Sequence, residues 1–371
     1  MTRTVLLGDI CDIKIGRTPP RKQPQWFSES HGIKWVSIKD MGNTGKYISQ
    51  TSEFLTADAI KKFNIPIIPA GTLLMSFKLT VGRLGFTEYD MCSNEAIAQL
   101  PIKDPDIVDK NYLYYYLKNF NFGSLSSTSS IATAVNSKTV KNISVNLPPL
   151  DQQKKIANIL GSLDEKIELN RRMNETLEQL GQALFRHYFV DKTKQSNVNI
   201  QTIPLGKKFH PKRGRSLQAR DMICGDTPVI SGGLKPAGFH NEANTTAPVI
   251  TISASGANAG FVSVWGEPVW SADSSYIDST ITKYVYTYYL FLKNKQKEIY
   301  DMQTGSGQPH IYPKHIELLE IADLSDCDFN DFEQRVRPLF DMIHKNKKQI
   351  DYLSNIRDLL LPKLISGEIE I

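Results

Sequence analysis

The sequence has no long apolar run, few cysteines and no marked excess of either charge, and each shortage removes a class of protein. Nowhere in the 371 residues does an apolar stretch approach the ~20 residues needed to span a membrane. The start, Met-Thr-Arg-Thr-Val-Leu-Leu-Gly, has too short an apolar run for a secretory signal, so a cytosolic protein with no membrane partner is expected. The four cysteines, Cys11, Cys92, Cys224 and Cys327, lie far apart with no Cys-x-x-Cys pair. That spacing argues against zinc sites and, in a reducing compartment, against disulfides, leaving buried thiols as the expectation. A net charge of +5 is only mildly basic, but the charge is unevenly placed along the chain.

Motifs of chemistry are missing as well. Adenine methylation needs an Asn/Asp-Pro-Pro-aromatic segment, and Asn146-Leu-Pro-Pro-Leu150 has the prolines without the adjacent Asn or the aromatic. A phosphate-binding loop needs Gly-x-x-x-x-Gly-Lys-Ser/Thr, whereas the segment from Gly42 to Tyr47 lacks the spacing and the hydroxyl. Asp164-Glu-Lys166 fits a loose nuclease tail but lies in a helical pattern, where it reads as an exposed charge cluster. The run from Gly305 to His310 lacks the third glycine of a dinucleotide fingerprint. No active site is expected, and no metal or cofactor bound by this chain.

What the sequence does have is duplication. Apolar positions run Ile156, Leu160, Leu163, Ile167, Asn170, Asn174, Leu177, Leu184 and again Val336, Leu339, Ile343, Asn346, Ile350, Leu353, Leu360, Leu364. Alternating steps of three and four form the seam of a coiled coil. Asn346 lies 176 residues after Asn170, and Ile343 and Leu353 keep the same distance from Ile167 and Leu177. Upstream, Tyr112 to Asn119 (YLYYYLKN) answers Tyr286 to Asn294 (YTYYLFLKN), and Ala134 to Lys138 answers His310 to Lys314. Leu7-Gly-Asp followed by Gly16-Arg-Thr answers Leu205-Gly-Lys followed by Gly214-Arg-Ser. A repeat this long holds a whole domain plus a helix.

The domains read as mixed α/β (α+β) with much irregular chain. Gly71 to Phe77 and Pro248 to Ser253 read as strands, each followed by a Gly-containing loop and a second strand from Gly85 or Gly260. The loops between, 78–83 and 254–259, share nothing, so the scaffold repeats while the tips differ. Basic runs sit at corresponding places: Lys14, Arg17, Arg21 and Lys22, and then Lys207, Lys208, Lys212, Arg213, Arg215 and Arg220. One such run is an ordinary solvated loop; its recurrence points towards a phosphate-binding face.

In these residues the chain resembles the specificity subunits of type I restriction-modification systems. The resemblance covers nearly the whole chain, including Leu147-Pro-Pro-Leu-Asp-Gln-Gln-Lys-Lys-Ile156 opening the first helix and Leu359-Leu-Leu-Pro-Lys-Leu-Ile-Ser-Gly-Glu368 closing the second. One departure is that Phe332-Glu-Gln-Arg-Val336 replaces the Pro-Pro-Leu opening and Pro338 follows, which predicts a kink or a late start. The resemblance implies target recognition domains at 1–150 and 191–330. Conserved spacer helices follow at 151–190 and 331–371, packing as an antiparallel coiled coil with internal pseudo-twofold symmetry.

It further implies a non-catalytic subunit that binds double-stranded DNA, reads an asymmetric bipartite target and docks two methyltransferase subunits and the motor-nuclease subunits. S-adenosylmethionine, ATP and Mg would then belong to those partners. A non-reading assembly scaffold, or the specificity part of a fused enzyme, is the alternative. A helix over 151–189 would span about 58 Å at ~1.5 Å per residue, enough to separate half-sites by one turn of B-DNA.

Side chains able to bond phosphates or base edges are Arg17, Lys22, Lys78 and Arg83 in the first domain and Arg213, Arg215, Ser255, Asn258 and His310 in the second. His310 has the alternative of packing beside Pro309. Asn170, Asn174 and Asn346 are candidates for fixing the helix register, unless heptad drift turns them to solvent. Ile159, Met173 and Leu180 remain to face partners or cover the domains.

Overall fold

The computed structural model describes residues 2–42, 45–126, 136–191, 201–305 and 307–371, in a mixed α/β fold. The chain divides into two units, Met1–Glu168 with Asp351–Ile371, and Leu169–Ile350. Both divisions fall inside a long helix, the first Leu150–Arg186 and the second Asp326–Ser366, so each unit owns a segment of both.

In the first unit the strand Arg3–Leu6 pairs antiparallel with Ser144–Leu147, closing the domain beside the first helix. Between them lies a five-stranded sheet in the order Lys14–Ile15, Ile97–Leu100, Leu73–Ser76, Leu84–Thr87, Tyr47–Ile48. Leu73–Ser76 and Leu84–Thr87 form the antiparallel hairpin read from the sequence. The run YLYYYLKN is a helix, Lys110–Lys118, capped by the Asp109 side chain, which accepts from Tyr112 N at 2.8 Å. Tyr112, Leu113, Tyr115 and Leu117 are buried with Ile156, Leu160, Leu361 and Leu364 of the long helices. Each such burial stabilises by roughly 1.5–3 kcal/mol. Gln153 fixes the geometry: its side chain accepts from Asp109 N at 3.0 Å and donates to Ile107 O at 3.0 Å and Pro148 O at 2.9 Å.

The second unit repeats this plan. Thr202–Pro204 pairs with Glu320–Ala322, and a four-stranded sheet runs Lys212–Arg213, Ser274–Asp278, Val249–Ser253, Val262–Trp265. The second aromatic helix is Val285–Asn294. Its first turn is held by Glu333, which accepts from Thr287 N at 2.8 Å, Thr287 Oγ1 at 2.8 Å and Tyr286 N at 3.3 Å. In both units a buried polar side chain of a long helix therefore seats the start of the aromatic helix.

A tryptophan shows how the copies diverged without losing a core. Within the first unit Trp35 lies opposite Cys92 in a parallel pair, and within the second Val229 lies opposite Trp270. The large side chain has changed strands and its small partner has changed with it, which keeps the volume of the layer. Either indole donates to the same acceptor, Trp35 Nε1 to Arg17 O at 3.2 Å and Trp270 Nε1 to Arg215 O at 2.8 Å.

Each unit's helix segments pack antiparallel. In the first, Asp164 meets Arg357 at 2.7 Å; in the second, Asn174 meets Asn346, and Phe185 meets Phe332 with ring centroids 5.9 Å apart. Residue numbers rise on one helix as they fall on the other. The expected late start of the second helix is wrong. Ser325 and Asp328 bond each other across its first turn, with Ser325 Oγ donating at 2.7 Å, and the helix begins at Asp326. Pro338 is exposed and the backbone stays helical across it, its ring removing only the hydrogen bond to Gln334. The first helix ends at Arg186 and continues as a π-turn, His187–Asp191.

The thiols also need correction. Cys11 and Cys92 are buried and pushed up to about 12 by that burial, but Cys224 and Cys327 are exposed. Cys224 lies in an irregular loop and Cys327 on the solvent side of a first helical turn, where nothing demands an apolar residue.

Candidate nucleic-acid interface

The loop after the first strand of each sheet is built the same way. Arg17 N donates to Ser93 O at 2.9 Å and Arg215 N to Ser271 O at 2.9 Å. The preceding glycines make this possible, since a Cβ on Gly16 would stand 2.1 Å from Ser93 O and one on Gly214 2.4 Å from Ser271 O. The repeated Gly-Arg thus marks a close backbone approach, and the arginine side chain is left to each copy.

The copies use it differently. Arg17 is exposed, yet its Nη1 donates to Phe63 O at 3.1 Å and Asn64 O at 3.0 Å, the carbonyl end of the helix Ala57–Lys62. Arg83 Nη1 donates to Ile38 O at 2.6 Å and fills the space over Gly42. Both are occupied by backbone, which sequence could not reveal because the acceptors are distant carbonyls. Lys22 and Lys78 are exposed, Lys78 lying over the Phe77 ring at 5.6 Å. Nor is the first basic run bare: Arg21 bonds Glu53 at 2.7 and 2.9 Å and Lys14 pairs with Asp12 at 3.4 Å.

The second unit brings its candidates together. Arg213 Nη2 donates to Asp273 Oδ1 at 2.7 Å, and the Ser255 hydroxyl donates to Asp273 Oδ2. Ser255 bridges to His310 across an isolated β-bridge, and Asn258 Nδ2 donates to Gly232 O at 3.3 Å. The His310 ring stacks on Tyr312, 16° from parallel with centroids 5.9 Å apart. Arg215 and Lys212 are exposed with no acidic partner among the described residues, whereas Lys208 is paired with Asp323 at 2.8 Å. Asp273 was missed, because a single acid in an irregular loop carries no spacing signal.

Buried ionic groups sit elsewhere, under the aromatic helices. Asp164 accepts from Tyr115 Oη at 2.8 Å and Arg357 Nη1 at 2.7 Å, with Lys118 Nζ at 3.9 Å. Burial pulls the Lys118 ammonium below its ordinary range, with Asp164 opposing. Tyr289, the counterpart of Tyr115, donates to Glu178 at 2.5 Å, and Lys293 is lowered by burial in the same way. Through these bonds Asp164 and Glu178 each tie an aromatic helix to a long helix of the same unit. Asp164 is thus engaged inside the fold and stands apart from the exposed Glu165 and Lys166 that follow it.

Among the helix candidates, Asn346 Nδ2 donates to Asn174 Oδ1 at 2.9 Å and Asn170 Nδ2 to Gln349 Oε1 at 2.9 Å. Ile159, Met173 and Leu180 are 37, 36 and 45% exposed. No group of three or more His, Cys, Asp or Glu able to hold a metal occurs among the described residues, nor a helix there long and apolar enough to cross a membrane.

Comparison with known proteins agrees with this construction. Residues 2–179 match the family model of the type I restriction modification DNA specificity domain. The type I restriction enzyme MjaIX specificity subunit of Methanocaldococcus jannaschii is 25% identical over 98% of this chain and 93% of its own length. The HindI specificity subunit of Haemophilus influenzae is 26% identical over 62% of this chain and 70% of its own. In fold, the crystal structure of the type I restriction-modification S subunit of Mycoplasma genitalium superposes with a TM-score of 0.63 at 19% identity, covering 98% of this chain and 96% of that one. Residues 2–179 thus match a type I restriction modification DNA specificity domain, and from end to end the chain is similar to type I restriction-modification specificity subunits.

Proposed function

We propose that each unit reads one half of an asymmetric, bipartite duplex target, and that the chain performs no chemistry itself. The observation that carries this reading is the contrast between frame and tip. Strand pairing, hairpin, Gly-Arg loop and aromatic helix recur in both units, while the arginine of one loop is tied to backbone and the tip of the other carries an Arg-Asp-Ser chain. Two copies of one frame with unlike tips would meet two unlike half-sites, whereas a symmetric dimer would meet a palindrome.

On this reading two methyltransferase subunits dock on the long helices, with Ile159, Met173 and Leu180 as exposed apolar contacts, and motor-nuclease subunits join for restriction. S-adenosylmethionine, ATP and Mg belong to those partners. The two recognition domains lie at 1–150 and 191–330, with the helices between and after them as spacers. Asn170, Asn174 and Asn346 set the register of the helix pair. Lys22, Lys78 and Arg215 supply charge to phosphates, and Asn258 and His310 line the second tip. The test is to express the chain with its methyltransferase in a host free of other methylation and sequence the modified bases. A split motif with a fixed gap is expected; a short continuous motif, or methylation without sequence preference, would leave the chain a scaffold.

A further inference from the structure

In the unit Leu169–Ile350 one arginine is held at both ends. At the backbone, Arg213 lies opposite Ser275 in the ladder, and Gly214 N donates to Ser274 O at 2.8 Å. A Cβ on Gly214 would stand 2.6 Å from Ala272 O, so this loop has one seat against the Ser271–Asp273 segment. At the tip, Nη2 is held by Asp273 Oδ1, whose other oxygen takes the Ser255 hydroxyl. Ser255 is itself fixed by its bridge to His310 and by Gly232, where a Cβ would stand 2.7 Å from Ser255 O. The Arg213 side chain nevertheless keeps 41% of its exposure and Asp273 36%.

An exposed ion pair adds little stability, and nothing in stability calls for a third residue to orient the acid. What the chain Ser255–Asp273–Arg213 does is preset the plane of a guanidinium. With one N–H held, the rest of the fork stays open to two acceptors side by side. On duplex DNA that pair is guanine O6 and N7 in the major groove, the commonest specific arginine contact. A phosphate needs no such presetting, and the exposed Lys212 next in sequence meets it as well.

We infer that Arg213, buttressed by Asp273 and Ser255, reads a guanine in the half-site of this unit. The inference rests on the duplex-reading function above. At the same ladder position the first unit has Ile15, opposite Ala98, which has no donor to make this contact. The requirement therefore belongs to one half of the target.

The test uses the tagged full chain, recovered from its own cells with the subunits that stay bound to it, and a pool of randomised duplex DNA. The wild type should enrich a split motif with one near-invariant guanine. Arg213→Lys keeps the charge but loses the fork, and should lower the preference for that guanine by about tenfold or more while other positions stand. Asp273→Asn should weaken the same position. An unchanged motif with Arg213→Lys, with or without a changed salt dependence, overturns the assignment and leaves Arg213 on phosphate. Failure of the wild type to enrich any sequence overturns the duplex reading and this assignment with it. Should Asp273→Asn fail to fold, Arg213→Lys still decides, because lysine retains an ion pair at that place.

Discussion

Asn346 donates to Asn174 across the helix pair at 2.9 Å, and one turn away Asn170 donates to Gln349 at the same distance while its own Oδ1 is buried without a partner among the described residues. The two bonds differ in consequence. Asn170 is 1% exposed and Gln349 lies in solvent. Replacing Asn170 by Leu removes a buried orphan oxygen and leaves Gln349 to water. Asn170→Leu should therefore stabilise the protein by about 1 kcal/mol, read as a shift in the urea midpoint at constant slope. A loss of stability would show that the amide does more than mark register.

Glu333 is the opposite case. Burial raises its carboxyl from the ordinary value, yet Thr287, Tyr286 and Arg337 all donate to it. Glu333→Ala leaves the first turn of the aromatic helix Val285–Asn294 with two buried, unpaired N–H groups and should cost about 3 kcal/mol. Glu333→Gln keeps an acceptor without a buried charge and should cost less. Equal losses in chemical denaturation would mean that the negative charge itself is required.

His344 gives the second unit an acid limit. Its ring lies against Gly266 and Tyr286, Nε2 has no partner among the described residues, and burial with Lys347 and Lys348 nearby lowers it to about 4. A base lowered on folding stabilises fully above its unfolded value near 6.5, and that contribution disappears as pH falls from there through the folded value. Between pH 6.5 and 4 the loss should approach about 3 kcal/mol. His344→Leu should flatten that part of the stability profile; an unaltered slope would place the acid sensitivity elsewhere.

Arg215 is the exposed cation of the repeated Gly-Arg loop with no acidic partner among the described residues. Arg215→Ala should reduce the salt slope of duplex binding by about one and leave the preferred sequence intact. Titrating affinity against salt for both proteins checks this, and equal slopes would make the side chain a bystander.

Much of this architecture was legible. Periodicities of three and four located both helices, and YLYYYLKN against YTYYLFLKN located the aromatic helices that pack on them. What was not legible depended on distant partners. Arg17 and Arg83 looked like free cations because their acceptors, Phe63 O, Asn64 O and Ile38 O, are backbone atoms 45 to 47 residues away. The basic run from Lys14 to Lys22 looked bare until the fold brought Glu53 to Arg21. Pro338 suggested a break, but whether a helical proline faces solvent is decided by packing. Cys92 and Trp35 were invisible as a pair, since their correspondence to Trp270 and Val229 runs crosswise between strands.

The central claim, that each unit reads its own half-site, is tested most directly by exchange. Residues 1–149 are replaced by the corresponding segment of a relative with a different target, keeping both long helices, and the methylated motif of cells carrying the chimera is sequenced. The account predicts that one half of the motif changes while the other half and the gap remain. A change in both halves, or in neither, would contradict it.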